Sequence, residues 1–246
     1  MIHGDGLDGM RSLEPESVDM VLTDLPSGET NARFDKPVNL PVFWTECSHC
    51  LKRSGVAAIM ASSFRFAAEV YESQRGFFRY DLIWSKSTAT GFFNAKRMPL
   101  RSHEFVLVFC LSKQFTYNPQ MVETGVPIAK NSTRGRTHGE NYGAQGSVSG
   151  ISRAGATDRF PRSVWEINSL GVRHPERTHP QQKPEDLFRR LILTHTNPGE
   201  LVVDPCAGSG TTERAAFATG RRSMCWDLEA RFARRSGAQM RIGEQS

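Results

Sequence analysis

The sequence predicts an α/β fold built on a mostly parallel sheet, and three observations carry that prediction. Short apolar runs alternate along the chain with segments whose apolar residues recur at helical spacing. Two of these runs end in an acidic residue followed by proline and glycine, at Asp24-Leu25-Pro26-Ser27-Gly28 and Asp204-Pro205-Cys206-Ala207-Gly208, as strands do when their carboxyl ends lead into a ligand-binding edge. The chain has 246 residues, 38% hydrophobic and 23% charged, which suits one domain over residues 1–246 with an added lobe better than two full domains.

Taken in order, a short strand is expected to end at Asp5, followed by a helical turn through Leu7, Met10 and Leu13 and by the buried-strand pattern Val18–Asp24. Apolar spacing predicts a helix from Pro41 to Arg53, closed by Gly55, then a strand over Val56–Ala61. A helix over Phe64–Gln74 leads to a strand at Tyr80–Lys86, and Glu104–Leu111 reads as a further strand. Residues 118–163 are different: they are rich in Gly, Ser and Arg and have no periodicity, which marks a long loop or a mobile lobe. Beyond them come a short strand at Val164–Ile167 and a helix that starts at Pro184 and runs through Leu187, Leu191 and Ile192 towards His195. The tail, Ala230 to Arg241, is expected to form a helix whose solvated cationic face carries Arg231, Arg234, Arg235 and Arg241.

The segment Leu201–Thr212 carries the clearest chemistry. An apolar run, Asp204 at its tip, Gly208 and Gly210, and Thr211-Thr212 before an alanine-rich stretch read as strand, tight turn and helix. Glycines let the backbone approach a ligand, and the free N–H groups of the following helix favour an electron-rich group. About 23 residues after Asp204, Asp227 falls where the next parallel strand would end, and a carboxylate there can accept from both hydroxyls of a ribose. The glycine pattern is not the full dinucleotide fingerprint, so a nucleoside-bearing cofactor and a plain structural turn both fit this segment alone.

A net charge of +5 and a pI near 9.1 suit a polyanionic partner. Arg134, Arg136, Arg153, Arg159 and Arg162, with Tyr142 and Phe160 among them, could follow a phosphate backbone and contact bases. The start of the chain lacks a signal-peptide pattern and no stretch approaches a membrane span, so the expectation is a cytoplasmic protein without membrane contact. Five cysteines fit reduced thiols. Cys47-Ser48-His49-Cys50 has no second ligand pair and sits in a helical pattern, so its cysteines read as structural and no metal site is expected.

Together, Asp24-Leu25-Pro26-Ser27 and Asp204-Pro205-Cys206-Ala207-Gly208-Ser209-Gly210-Thr211-Thr212 resemble the two signature motifs of the DNA amino-methyltransferases, which act on adenine N6 or cytosine N4. The order is that of the class with the D-P-P-Y-type tetrad ahead of the cofactor motif and the target-recognition region between them. Gly4-Asp5, Ser17-Val18-Asp19, Trp84-Ser85-Lys86, His103-Glu104-Phe105, His179–Pro184 and Gly220-Arg221-Arg222 extend the likeness over nearly the whole chain except residues 118–163.

The resemblance implies a Rossmann-like S-adenosylmethionine-dependent methyltransferase sheet, with residues 118–163 as an inserted target-recognition loop or lobe. It implies S-adenosyl-L-methionine as cofactor, held by Asp5, Lys183, Asp204, Cys206, Gly208, Gly210, Thr211 and Asp227. It also implies catalysis at Asp24, Leu25, Pro26 and Ser27, with Asp24 and the Leu25 carbonyl accepting the two N–H bonds of a flipped base in double-stranded DNA. Adenine is preferred to cytosine because Asp leads the tetrad. A homodimer and a companion restriction endonuclease are both open to such a protein.

One departure stands out. The tetrad's fourth residue, normally an aromatic that stacks on the base, is Ser27, at a cost of about 1–3 kcal/mol in stacking. Three readings follow: an active enzyme in which Phe34, Phe92 or Phe93 supplies the ring, a DNA- or cofactor-binding protein without catalysis, or a pocket enlarged for a modified base or a bulkier group. The first is favoured because the acid and the cofactor elements are intact.

Overall fold

A computed structural model describes residues 1–30, 32, 35–129, 138–139, 143–144, 153–171 and 182–231. Their elements are β1 (Ile2–His3), α1 (Gly6–Arg11), β2 (Val18–Asp24), α2 (Leu40–Cys50), β3 (Leu51–Ala61), α3 (Phe64–Ser73), β4 (Phe78–Thr90), β5 (Arg101–Cys110), β6 (Val122–Glu123), β7 (His138–Gly139), β8 (Gly143–Ala144), β9 (Asp158–Arg159), β10 (Val164–Ile167), α4 (Glu185–His195), β11 (Leu201–Asp204), α5 (Thr211–Ala218) and β12 (Arg222–Asp227). The chain divides into two compact units, one formed by Met1–Asn118 with Arg162–Ser246 and the other by Pro119–Pro161.

The first unit holds an eight-stranded sheet in the order β1-β12-β11-β2-β3-β5-β4-β10. Every neighbouring pair is parallel except β3 with β5 and β5 with β4. The single reversed strand arises because β4 and β5 are joined by a short connection instead of a helical crossover, and such a connection forces antiparallel pairing. From β11 the chain crosses through α5 to β12 on one side, whereas from β2 it crosses through α2 to β3 on the other. Because β11 and β2 are neighbours, the crevice beyond their carboxyl ends is a topological switch point, where open α/β sheets bind ligands.

Alternation along the strands divides the core between two faces. Val21, Ala57, Ile59, Leu107 and Phe109 pack with Met10 of α1, Phe43 and Trp44 of α2, and Phe66 and Val70 of α3. The intervening Met20, Leu22, Ala58, Met60 and Val106 pack with Leu187, Leu191 and Ile192 of α4 and Ala215 and Ala216 of α5. Two layers of helices thus enclose the sheet.

Several boundaries differ from expectation. The first strand stops at His3, and Asp5 instead caps α1, accepting from the Leu7 amide at 2.8 Å. The helix expected to reach Arg53 ends at Cys50, because Leu51 turns to extended backbone and pairs with Val18 at the start of β3. Gly55 therefore lies within β3 and does not close the helix, and the register shifts there so that Met20 pairs with Val56. Cys47 and Cys50 are buried in the core, where burial pushes both thiols up, Cys50 to about 12. His195, fully buried at the end of α4, donates from Nδ1 to the Thr116 carbonyl at 3.1 Å and accepts from the Tyr80 hydroxyl at 3.0 Å.

In the second unit, β6 pairs antiparallel with β9, and β7 with β8. Arg153 lies 4.9 Å from the centre of the Phe160 ring and pairs with Asp158, while Arg159 donates to the Val126 carbonyl at 2.7 Å. Both of these arginines are thus engaged locally. Arg134, Arg136 and Tyr142 lie outside the described residues, as does the tail beyond Arg231. No helix among the described residues is long and apolar enough to cross a membrane.

Candidate active site

Five strands bring their ends to one edge. Four of them, β1, β12, β11 and β2, place Asp5, Asp227, Asp204 and Asp24 at or just past their carboxyl ends, and the reversed β5 brings Glu104 near its amino end to the same edge. Sequence reasoning placed the four aspartates but did not single out Glu104.

The cofactor-motif turn is held from inside. Asp204, 2% exposed, accepts from the Cys206 amide at 3.0 Å and from the Thr212 hydroxyl, so its carboxylate locks both ends of the turn. Burial pushes its pKa up to about 6, against the hydrogen bonds from Thr212 and Cys206 that pull it down. Gly208 and Gly210 have φ of 48° and 75°, in the left-handed region that a side chain resists. The Gly208 amide donates to Asp227 at 2.8 Å, and a Cβ on Gly208 would meet nothing within 4 Å, so the space over the turn is open. The other Asp227 oxygen accepts from the Glu229 amide at 2.7 Å. Each carboxylate oxygen keeps a further lone pair for a ligand hydroxyl.

The loop at Asp5 is pressed onto this turn. A Cβ on Gly6 would sit 2.0 Å from the Pro205 carbonyl oxygen, and one on Gly9 would sit 2.3 Å from the Trp226 indole. Only glycine permits this approach, and it leaves the exposed Asp5 at the rim. Cys206 is half-buried, and Thr211 is buried with its hydroxyl donating to the Lys183 carbonyl at 3.4 Å. Open backbone over Gly208, two accessible carboxylates and a half-buried thiol together fit a nucleoside-bearing ligand.

At the tetrad, Leu25 is buried and anchors the loop, while Asp24, Pro26 and Ser27 are half-exposed. The Ser27 hydroxyl accepts from the Glu29 amide at 3.3 Å. Asp35, which sequence reasoning missed, orders the loop by accepting from the amides of Gly28 at 2.8 Å and Thr30 at 2.7 Å. Burial raises the Asp35 pKa, and the Thr30 and Gly28 hydrogen bonds outweigh it and hold it below the usual carboxylate range. Phe34 lies outside the described residues. Phe92 and Phe93 are exposed, at 79% and 102%.

Lys183, which the resemblance assigns to the cofactor site at the head of its helix, makes its ion pairs at the tetrad. Its ammonium, buried just ahead of α4, contacts Asp24 Oδ2 at 3.1 Å and Glu104 Oε2 at 2.7 Å. Glu104 Oε1 in turn pairs with Lys86 at 3.1 Å. Burial lowers the Lys183 pKa, but Asp24 and Glu104 outweigh it and raise it. Burial likewise raises Glu104, and Lys183 with Lys86 pulls it below the ordinary value. Asp24 goes the other way: burial and the charge of Glu104 lift it despite Lys183. No cluster among the described residues has the composition of a metal site.

Asp24, two residues ahead of Pro26 on β2, and the glycine turn after the neighbouring β11, which suits a nucleoside, make up a candidate group-transfer site at the switch point. Residues 18–238 match the DNA methylase family of N6 and N4 methyltransferases, and the chain belongs to that family. It is 27% identical to the DNA adenine methyltransferase YhdJ of Escherichia coli (strain K12), over 94% of this chain and 79% of that protein. It is 28% identical to the type II methyltransferase M1.MboII of Moraxella bovis, over 92% and 90%. It spans 64% of M.HpaI of Haemophilus parainfluenzae and 61% of M.BglII of Bacillus subtilis. Among solved structures, the cytosine-N4-specific PvuII DNA methyltransferase superposes with a TM-score of 0.71 at 15% identity, covering 100% of this chain and 87% of that one. The M1.HpyAVI–SAM complex gives 0.65 at 20% identity, covering 97% of each chain. These likenesses agree on the fold.

Proposed function

We propose that this protein methylates the exocyclic amine of a flipped base in double-stranded DNA, adenine N6 in preference to cytosine N4, with S-adenosyl-L-methionine as donor. The observation that carries the proposal is the pairing of β2 with β11, with Val203 opposite Val21, which sets Asp24-Leu25-Pro26 beside the Asp204–Thr212 turn. In this reading Asp5, Cys206, Gly208, Gly210 and Asp227 line the cofactor site, and Asp204 and Thr211 hold its turn in shape. When bound, S-adenosylmethionine supplies an electrophilic methyl group whose bonding pair stays with sulfur as the new N–C bond forms.

The protein's own residues prepare the amine. Its lone pair is delocalised into the ring, so Asp24 and the Leu25 carbonyl hold its two hydrogens and free that pair for attack, and much of the rate comes from this positioning. Asp24 then takes the proton that the methylated nitrogen releases and passes it to solvent. Residues 118–163 serve as the target-recognition insertion, and exposed Arg162 stands at its edge. The adenine methyltransferase activity in the name of YhdJ supports the choice of base.

A second reading, DNA and cofactor binding without transfer, rests on Ser27 standing where a stacking ring is expected. Labelled S-adenosylmethionine incubated with mixed-sequence duplex DNA separates the two. The proposal expects label in N6-methyladenine, abolished by Asp24→Ala. Cofactor binding without label in any base would establish the second reading instead.

A further inference from the structure

Four ionisable groups form a continuous chain of alternating charge under the active edge. Lys86 of β4 meets Glu104 of β5, Glu104 meets Lys183 ahead of α4, and Lys183 meets Asp24 at the end of β2, with contacts of 3.1, 2.7 and 3.1 Å. Side-chain exposures are 6% for Lys86, 10% for Glu104 and Lys183, and 29% for Asp24, so the chain runs from the interior out to the half-exposed Asp24. It carries two positive and two negative groups and is charge-balanced. Among the described residues, Oδ2 is the only Asp24 oxygen engaged. Its Oδ1 makes no hydrogen bond among the described residues.

We propose that Glu104 and Lys183 are positioning residues: Lys183, aimed by Glu104, grips Asp24 through Oδ2 and leaves Oδ1 to accept from the target amine. A free aspartate could present either oxygen in several rotamers, whereas an ammonium seated between two carboxylates restricts that choice. Lys86 occupies the far oxygen of Glu104 and keeps Glu104 from turning away. The inference rests on Asp24 acting as the amine acceptor, and it takes Lys183 out of the cofactor site and into the catalytic layer.

The charged and titratable groups facing Asp24 are Lys183, Glu104 on β5, Asp35 from the loop after β2, and Asp204 and Cys206 of the β11 turn. Of these, Lys183 favours the ionised form and the carboxylates disfavour it. The test is a carbon-13 NMR titration of the Asp24 carboxyl in the whole protein, with K183M and E104Q as variants. K183M should move the Asp24 midpoint up by about one pH unit or more, and E104Q should move it down. The acid limb of the pH profile for methyl transfer should shift in the same two directions, and K183M should retain cofactor affinity in calorimetry.

K183M leaves two carboxylates facing each other. If it does not fold, the downward shift in E104Q decides the matter. Midpoints that stay put, or that move in the same direction in both variants, would overturn the proposal, as would loss of cofactor affinity in K183M with Asp24 unmoved. Opposite shifts in a protein that methylates no DNA would keep the network and overturn the functional reading instead.

Discussion

Asp204→Asn tests whether the buried acid under the cofactor turn is a source of strain that rises with pH. Asp204 is 2% exposed, and burial lifts its pKa from the ordinary 3.8 to about 6. The folded protein therefore binds this proton more tightly than the unfolded chain does. The stabilisation is fully present below about pH 4 and is lost as pH rises through about 6. The rise corresponds to about 3 kcal/mol. Asparagine keeps an oxygen to accept from the Cys206 amide and turns an N–H towards the Thr212 hydroxyl, so the turn is retained without a charge.

The expectation is that D204N gains about 3 kcal/mol on the wild type between about pH 4 and about pH 7.5, in urea unfolding with an unchanged denaturant slope. The wild-type curve alone would hide this. Burial lowers His195 to about 4, and its contribution has the opposite sign, present above about pH 6.5 and lost as pH falls towards 4. His195 is common to both proteins and cancels in the difference. A difference that stays flat across this range would refute the account of Asp204.

Two further substitutions probe the rim and the tetrad. Gly6→Ala places a Cβ 2.0 Å from the backbone oxygen of Pro205, which cannot yield without moving the turn, so we expect a loss of about 1–3 kcal/mol in stability together with weaker cofactor binding. Thermal melts with calorimetry on the same samples check this, and an unchanged Tm would show that the two loops are not pressed together. Ser27→Tyr supplies the missing ring, and at about 1–3 kcal/mol of stacking it should raise kcat/KM on duplex DNA by about 5-fold to 100-fold. A fall in kcat/KM would instead mark a pocket shaped for a modified base or a bulkier group.

Much of the fold was legible because strand ends and turns are local chemistry. Val18–Asp24, Val164–Ile167 and Leu201–Asp204 occur with the expected limits, since each is an apolar run bounded by residues that cannot continue a strand or that begin a turn. The helix after Pro41 was placed correctly but ended too late. The apolar spacing continues through Leu51, and only pairing with Val18 turns that residue into the sheet. The reversal of β5 was likewise not readable in Arg101–Cys110 itself, because a fully buried strand has the same apolar pattern in either direction.

The site shows the same division. Asp24, Asp204 and Asp227 could be found because each ends an apolar run, and Asp5 through the likeness of Gly4-Asp5 to the family's opening; their shared order along the chain identified the family. Glu104 and Lys183 are 79 residues apart and Asp19 accepts from the Leu201 amide across 182 residues, so nothing near either residue in sequence signals its partner. Asp35 reaches back only a few residues, but its hydrogen bonds to Gly28 and Thr30 depend on a loop path that no periodicity encodes.

By itself, then, the sequence determined the class of fold, the position of the acids at strand ends and the glycine turn, all of which follow from backbone preferences and burial along a few residues. Tertiary structure alone decided which acids share a cation, which are locked inside the turn and which remain open to a ligand. Electrostatic partnership depends on distance through space, and a folded sheet brings together charges that the chain keeps far apart.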